Sequence, residues 1–334
     1  MIPENCVSIQ VILMFVMRSE PVNNYSESPM GLAFLCACFF ASLPGCGASF
    51  AIPIPSDSIA VVEINCKQLL NTRFPSGEAV KEFAPILFQL MGQSPELMEK
   101  NLSFNPLEDV DRIIIASGGS EKTGVLLVFG KFDIPKFNER LPRMGRQFGI
   151  LMETTTLGNT TVLISRLGGD GPPVYICGIN SNMILVTPQK EVAESYLKGN
   201  IPGPGNALKD LLRKLDRSQL FWFAATQNGA LKFPNVFGVN IPKTFDNAQM
   251  GIKIRQGIRI SLEINGLSKE ECDMLEDEVD VNISRLKAYF SIIALGSNDG
   301  DWLHKMAQGT KLEGIQIKTG SYKATLLIPE PVFK

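Results

Sequence analysis

Gly124-Val-Leu-Leu-Val-Phe-Gly130, continuing through Lys-Phe to Asp133, and Gly257-Ile-Arg-Ile-Ser-Leu-Glu-Ile264, continuing through Asn-Gly-Leu to Ser268, are the two stretches on which the fold is read. Each is an apolar, partly β-branched run of strand length that turns into a residue suited to cap a helix. Asp133 stands before a helix that carries Pro135 in its first turn and extends to about Phe148. Ser268 is followed three residues later by Glu271, the spacing of a capping box, and opens a longer helix to about Leu295. The same strand, turn and capped helix thus occur twice. This predicts an internal repeat.

On the N-terminal side of the first copy, Ile52-Pro-Ile-Pro55 reads as a stiff extended linker and Ser58–Asn65 as a strand. Helices are expected at Lys67–Arg73 and Glu78–Met91, the second with Val80, Phe83, Leu87 and Leu90 at helical spacing. Asn105-Pro106 opens a turn, and Asp111–Ser117 forms a hairpin with Gly124–Gly130 through a Gly-rich loop. Strands then follow at Leu151–Thr156, Thr160–Ser165, Pro173–Gly178 and Met183–Thr187, joined by Gly/Asn turns. Helices at Gln189–Leu197 and Asn206–Leu215 complete this half.

Around the second copy, Ser218–Thr226 is strand-like, Phe233–Asp246 is irregular, and Gln249–Arg255 forms a hairpin with Gly257–Ile264. A short helix, Trp302–Gln308, precedes a hairpin of Gly314–Thr319 with Ser321–Ile328. Each half then reads β-α-β-β-α-β, the split β-α-β or ferredoxin-like pattern. The expected fold class is α+β, in two lobes that each set helices on one face of an antiparallel sheet. The expected division is 1–51 for an export leader, 52–216 for a first lobe with extra strands and bridging helices, and 217–334 for a second lobe.

The leader rests on an uncharged stretch from Ser28 to Ser56. Within it, Gly31-Leu-Ala-Phe-Leu-Cys-Ala-Cys-Phe-Phe-Ala41 has the length of a signal h-region. Pro44, Gly45 and Gly47 interrupt it before the ~20 residues of a bilayer span. Two processing sites follow. Ser49-Phe50-Ala51 fits the small-x-small rule for cleavage after Ala51, whereas Leu43-Pro44-Gly45-Cys46 resembles a lipobox that would lipidate Cys46. A retained anchor is a third reading. Arg18 is the one base upstream of the apolar run, so a start at Met17 or Met30 gives a more ordinary layout than Met1. The expected location is the periplasm or cell envelope, with the chain free after cleavage or tethered through Cys46.

Composition narrows the function further. A hydrophobic content of 45% and a charged content of 20% suit a packed globular chain. The net charge is −2, and residues 1–51 hold one base, Arg18, against three acids, Glu4, Glu20 and Glu27, so the remainder is electrically balanced. Such a chain has no field for nucleic acid. Of the seven cysteines, Cys66, Cys177 and Cys272 are scattered beyond the leader, no pair has Cys-x-x-Cys spacing, and buried free thiols are expected, with one disulfide as the alternative in an oxidising compartment.

No stretch carries recognisable catalytic chemistry. The single histidine, His304, lies beside Trp302 and Lys305 without a Gly-x-Ser-x-Gly elbow or an activated cysteine to serve. Asn298-Asp-Gly-Asp301 has oxygen ligands but neither the order nor the closing Glu of a calcium loop. Glu270, Glu271, Asp273, Glu276, Asp277, Glu278 and Asp280 crowd the start of the long helix, where they suit its dipole and form a solvated face or an acidic docking surface. The loops at Gly118-Gly119, 168–171 and Gly199–Gly205 lack phosphate-loop spacing, and Leu220-Phe-Trp-Phe223 reads as core packing. No catalytic residue, metal ligand or cofactor is therefore expected.

Three segments resemble a group of exported proteins of planctomycete bacteria to which no activity is assigned. They are Pro55-Ser-Asp-Ser-Ile-Ala-Val-Val-Glu-Ile-Asn65, Asn105-Pro-Leu-Glu-Asp-Val-Asp-Arg-Ile113 and Gly124-Val-Leu-Leu-Val-Phe-Gly-Lys-Phe-Asp133. The resemblance spans about residues 55–330 and implies export and a shared fold, with no functional residue to carry over. The functional expectation is an exported, non-catalytic envelope or periplasmic protein that binds another envelope protein through its sheets or acidic helix. The alternatives are a hydrolase using carboxylates between the lobes and a carrier of a hydrophobic ligand anchored through Cys46.

Overall fold

The structure, a computed structural model, describes residues 53–72, 104–118, 124–147, 150–166, 172–201, 203–226, 245–254, 257–296, 301–318 and 320–329. The expected leader, the expected helix 78–91 and most of the stretch 233–246 lie outside these residues. The described chain forms two compact units that meet in sequence at 209/210.

The first unit contains β1 (Ser58–Ile64), α1 (Cys66–Asn71), α2 (Pro106–Asp109), β2 (Val110–Gly118), β3 (Gly124–Gly130), α3 (Ile134–Gln147), β4 (Met152–Leu157), β5 (Thr160–Arg166), β6 (Pro173–Asn180), β7 (Met183–Thr187) and α4 (Lys190–Leu197). Its strands lie in the order β1-β2-β3-β7-β6-β5-β4. Helix α5 (Asn206–Lys214) runs across the sequence boundary into the second unit. That unit contains β8 (Phe221–Thr226), β9 (Asn247–Ile254), β10 (Ile258–Asn265), α6 (Lys269–Gly296), α7 (Asp301–Gly309), β11 (Lys311–Lys318) and β12 (Ser321–Ile328), with strand order β8-β9-β10-β12-β11. The fold is α+β with antiparallel sheets.

The repeat is visible in the pairing. Each unit opens with a three-strand meander, β1-β2-β3 or β8-β9-β10. A capped helix follows its third strand, and the last strand of the unit returns beside that third strand, β7 on β3 and β12 on β10. The expected split β-α-β arrangement is present in the second unit, where β10 and β11, joined through α6 and α7, run in the same sense with β12 antiparallel between them. In the first unit β3 and β4, joined through α3, also run in the same sense, but the extra strands put β7, β6 and β5 between them. The reason is local. The strand after each capped helix enters as part of a hairpin, so the chain doubles back and the returning strand fills the gap beside the meander.

Local chemistry sets the joints. In α3, the Asp133 carboxylate accepts from the Lys136 N–H at 3.2 Å and lies 2.7 Å from the Lys136 ammonium. At α6 the capping box closes both ways, Glu271 N–H to the Ser268 hydroxyl at 3.2 Å and Ser268 N–H to the Glu271 carboxylate at 2.8 Å. Two of the segments quoted for the resemblance meet. Lys131 N–H donates to the Asp109 carbonyl at 2.6 Å, and the Phe132 and Phe104 rings pack edge to face at 5.2 Å. Gly130 sits at this crossing because a Cβ there would lie 2.0 Å from the Asp109 carbonyl oxygen.

The cores are formed by the inward residues of the strands. Val61, Ile113, Ile114, Leu127, Val162, Leu163, Leu185 and Cys177 are fully buried in the first unit, and Ala224, Ala225, Ala248, Ile264 and Tyr322 in the second. Helix α6 turns Cys272, Leu275, Val279, Asn282 and Leu286 inward, spaced three and four residues apart as a packed helix face requires. Each such aliphatic side chain stabilises its unit by about 1.5–3 kcal/mol when fully buried.

Candidate functional site

The residues singled out for processing, Cys46 and Ala51, lie outside the described residues. The linker beyond them is held in the first unit. Ile54 is buried, the Pro53 carbonyl accepts from the Tyr196 hydroxyl, and the Ser56 carbonyl accepts from Gly205 N–H at 3.1 Å. Residues 298–300 of the oxygen-rich turn are likewise outside, and Asp301 begins α7. His304 is exposed on α7.

The three described cysteines are free and buried. Burial pushes the Cys177 thiol up to about 12. Burial, reinforced by the neighbouring Asp273 and Glu271 carboxylates, also raises Cys272. A thiol held protonated is a poor nucleophile, so these side chains act as small apolar core residues. Among the described residues no group of three or more His, Cys, Asp or Glu could hold a metal ion. No described helix is long and apolar enough to cross a membrane.

What the structure does bring to the surface is an open strand edge and an exposed apolar helix face. Among the described strands, β4 pairs only with β5 and ends the first unit's sheet. Its Glu153, Thr154 and Thr156 are exposed, and Leu151 beside it is 65% exposed. Strand β11, which ends the sheet of the second unit, is of a different kind. It carries Lys311, Glu313 and Lys318, is kinked by an irregularity between Leu312 and Gly314, and ties Glu313 to Arg259 at 3.2 Å. Charge and a kink are the usual means of blunting a sheet edge. Strand β4 has one charge and an unbroken register, so its edge stays available for pairing.

Helix α6 presents the second surface. Met274 is 61% exposed, Val281 47% and Ile292 67%. With Asp277, Glu278 and Arg285, the first two line a shallow, solvent-open depression of about 520 Å³. The acids that the sequence placed on this helix are present, but they flank an apolar stripe rather than forming an unbroken charged face. The seven-residue spacing of Met274, Val281 and Ala288 carries the signal for that stripe.

A smaller feature lies in the second unit's sheet. Trp222 is opposite Gly251, and a Cβ at Gly251 would collide with the side chain of Gln219. The Trp222 indole nitrogen and the carbonyl oxygens of Gln219 and Gln249 are buried there without hydrogen-bond partners. The Phe-Trp-Phe run is core, as its sequence suggests, with a polar edge that the sequence does not reveal.

No family model and no curated protein matches the chain. Among solved structures it is similar to crystal form I of TP0453, with a TM-score of 0.46 and 10% identity over 85% of this chain and 94% of that one. Crystal form III of TP0453 gives a TM-score of 0.46 and 9% identity over 85% of this chain and 96% of that one. A likeness at this level extends to neither activity nor partner.

Proposed function

We propose that the chain is an exported, non-catalytic envelope protein that binds an extended segment of another envelope protein along the free edge of β4. The carrying observation is that edge. Its row of backbone N–H and C=O groups has no strand partner among the described strands, and none of the blunting devices seen at β11 protects it. An added strand gains affinity from main-chain hydrogen bonds and selectivity from alternate side chains. Export is supported by the uncharged apolar run and the processing sites at Ala51 and Cys46.

Two measurements test the proposal. Mass-spectrometric mapping of the mature N-terminus should find Ile52 or a modified Cys46. An unprocessed chain confined to the cytoplasm overturns the envelope assignment. A photo-crosslinker at Leu151 in intact cells should capture a partner that the pair Thr154→Lys and Thr156→Lys loses, whereas a crosslinker on β11 should not. Equal capture from both edges, or capture unaffected by the lysines, overturns the β4 assignment.

A further inference from the structure

We propose that the outer face of α6 is a self-association surface on which a second copy of this chain packs its own α6 in the antiparallel sense. Residues on the stripe are arranged symmetrically about Val281. Asp277 precedes it by four positions and Arg285 follows it by four. Met274 precedes it by seven and Ala288 follows it by seven. An interface with two-fold symmetry must be self-complementary, each patch meeting its own copy. Antiparallel pairing centred on Val281 sets Asp277 against the other copy's Arg285, twice, and Met274 against its Ala288, twice.

Within one helix this charge pair cannot close. Asp277 and Arg285 lie eight residues apart, or roughly 12 Å along the axis, whereas side chains on one helix meet at three or four. Both are exposed, and they flank the open depression with Val281 and Met274. A second copy gives both charges an opposite partner, beyond the 3.4 Å bond that Arg285 donates to Asn282 Oδ1, and covers Met274 and Val281, which are otherwise 61% and 47% exposed. A lipid surface fits less well, because Glu270, Asp273, Asp277, Glu278 and Asp280 border the stripe and an anionic bilayer would repel them. One helix against one helix is a small interface, so the dimer should dissociate on dilution.

Sedimentation of the full chain over a concentration series provides the test. The wild type should show a reversible monomer–dimer equilibrium. Asp277→Arg and Arg285→Asp should each weaken it roughly tenfold, since each variant exchanges two attractions for two repulsions. The double variant should recover most of the loss. Val281→Cys should form an intermolecular disulfide under mild oxidant, since Cα atoms at the axis of two packed helices fall within disulfide reach. Asp280→Cys, on a different face, should not exceed the wild-type background. A monomer at every concentration overturns the proposal. So does a dimer indifferent to the charge exchange, or a monomer that binds anionic phosphatidylglycerol vesicles and loses that binding with Val281→Asp. None of these outcomes bears on β4, so the two surfaces can fail separately.

Discussion

Replacing Gly130 with alanine adds one methyl group at the point where β3 leaves the sheet and passes α2. The added carbon would lie 2.0 Å from the Asp109 carbonyl oxygen and 2.8 Å from the Val110 Cα. Both are backbone atoms, so no side chain can swing aside. Relief requires the crossing to open by about an ångström, against an interior packed as tightly as a crystal. That movement breaks the 2.6 Å bond from Lys131 N–H to the Asp109 carbonyl and strains the 3.0 Å bond from Gly130 N–H to Asn182. Overpacking costs about 1–3 kcal/mol, and a lost hydrogen bond about 1 kcal/mol. Alanine returns about 0.5–1 kcal/mol through its smaller unfolded-state entropy. The net destabilisation should be about 2–3 kcal/mol, or a fall in Tm of roughly 5–10 °C for a unit of this size. Urea unfolding followed by circular dichroism measures it. Gly203→Ala is the control, because a Cβ there meets nothing within 4 Å. It should be neutral or slightly stabilising. If Gly130→Ala unfolds within about 0.5 kcal/mol of the wild type, the close crossing does not hold the first unit together.

Three further outcomes are expected. Ser268→Ala removes one arm of the α6 capping box and should cost about 1 kcal/mol in the same unfolding assay, with Ser268→Asp restoring most of it. Asp216 is lowered to about 2, first by the hydrogen bond from Lys253 and then by those from Ser218. A carboxyl with a depressed folded-state value contributes stability above its ordinary value near 3.8 and loses it as pH falls toward 2. Asp216 is half exposed at the surface, so solvent screening should hold that contribution to no more than about 1 kcal/mol. Asp216→Asn should flatten this part of the acid-unfolding curve. Cys177, pushed up to about 12 by burial, should resist alkylation at pH 8 in the folded chain and react once the chain is unfolded, as peptide mapping would show.

The elements were legible where their determinants are neighbours in sequence. Ser268 with Glu271 and Asp133 with Pro135 announced the two helices, and alternating Val, Leu and Ile announced the strands they follow. The duplication was legible for the same reason. The hairpins were legible too, but the long-range seams were not, because Ile258 meeting Ile328 and Leu126 meeting Val186 depend on residues far apart in the chain. The β4 edge was hidden by the same cause, since a strand becomes an edge only once the sheet order is known. On α6 the acids at 270–280 dominated the reading, and the apolar stripe emerged only when Cys272, Leu275, Val279 and Leu286 proved to be the buried side. That placed Met274, Val281 and Ile292 outside.

The meander-and-return order of each unit also governs how the chain reaches this state. Hairpins such as β9-β10 and β11-β12 join strands adjacent in sequence, so they close on a microsecond scale with little loop entropy to overcome. The long-range seams, β2 on β1 and β7 on β3 in the first unit and β12 on β10 in the second, must wait until those hairpins exist. The second unit thus has one slow closure and the first has two, and a stretched-out chain can rebuild itself hairpin by hairpin before zipping those seams.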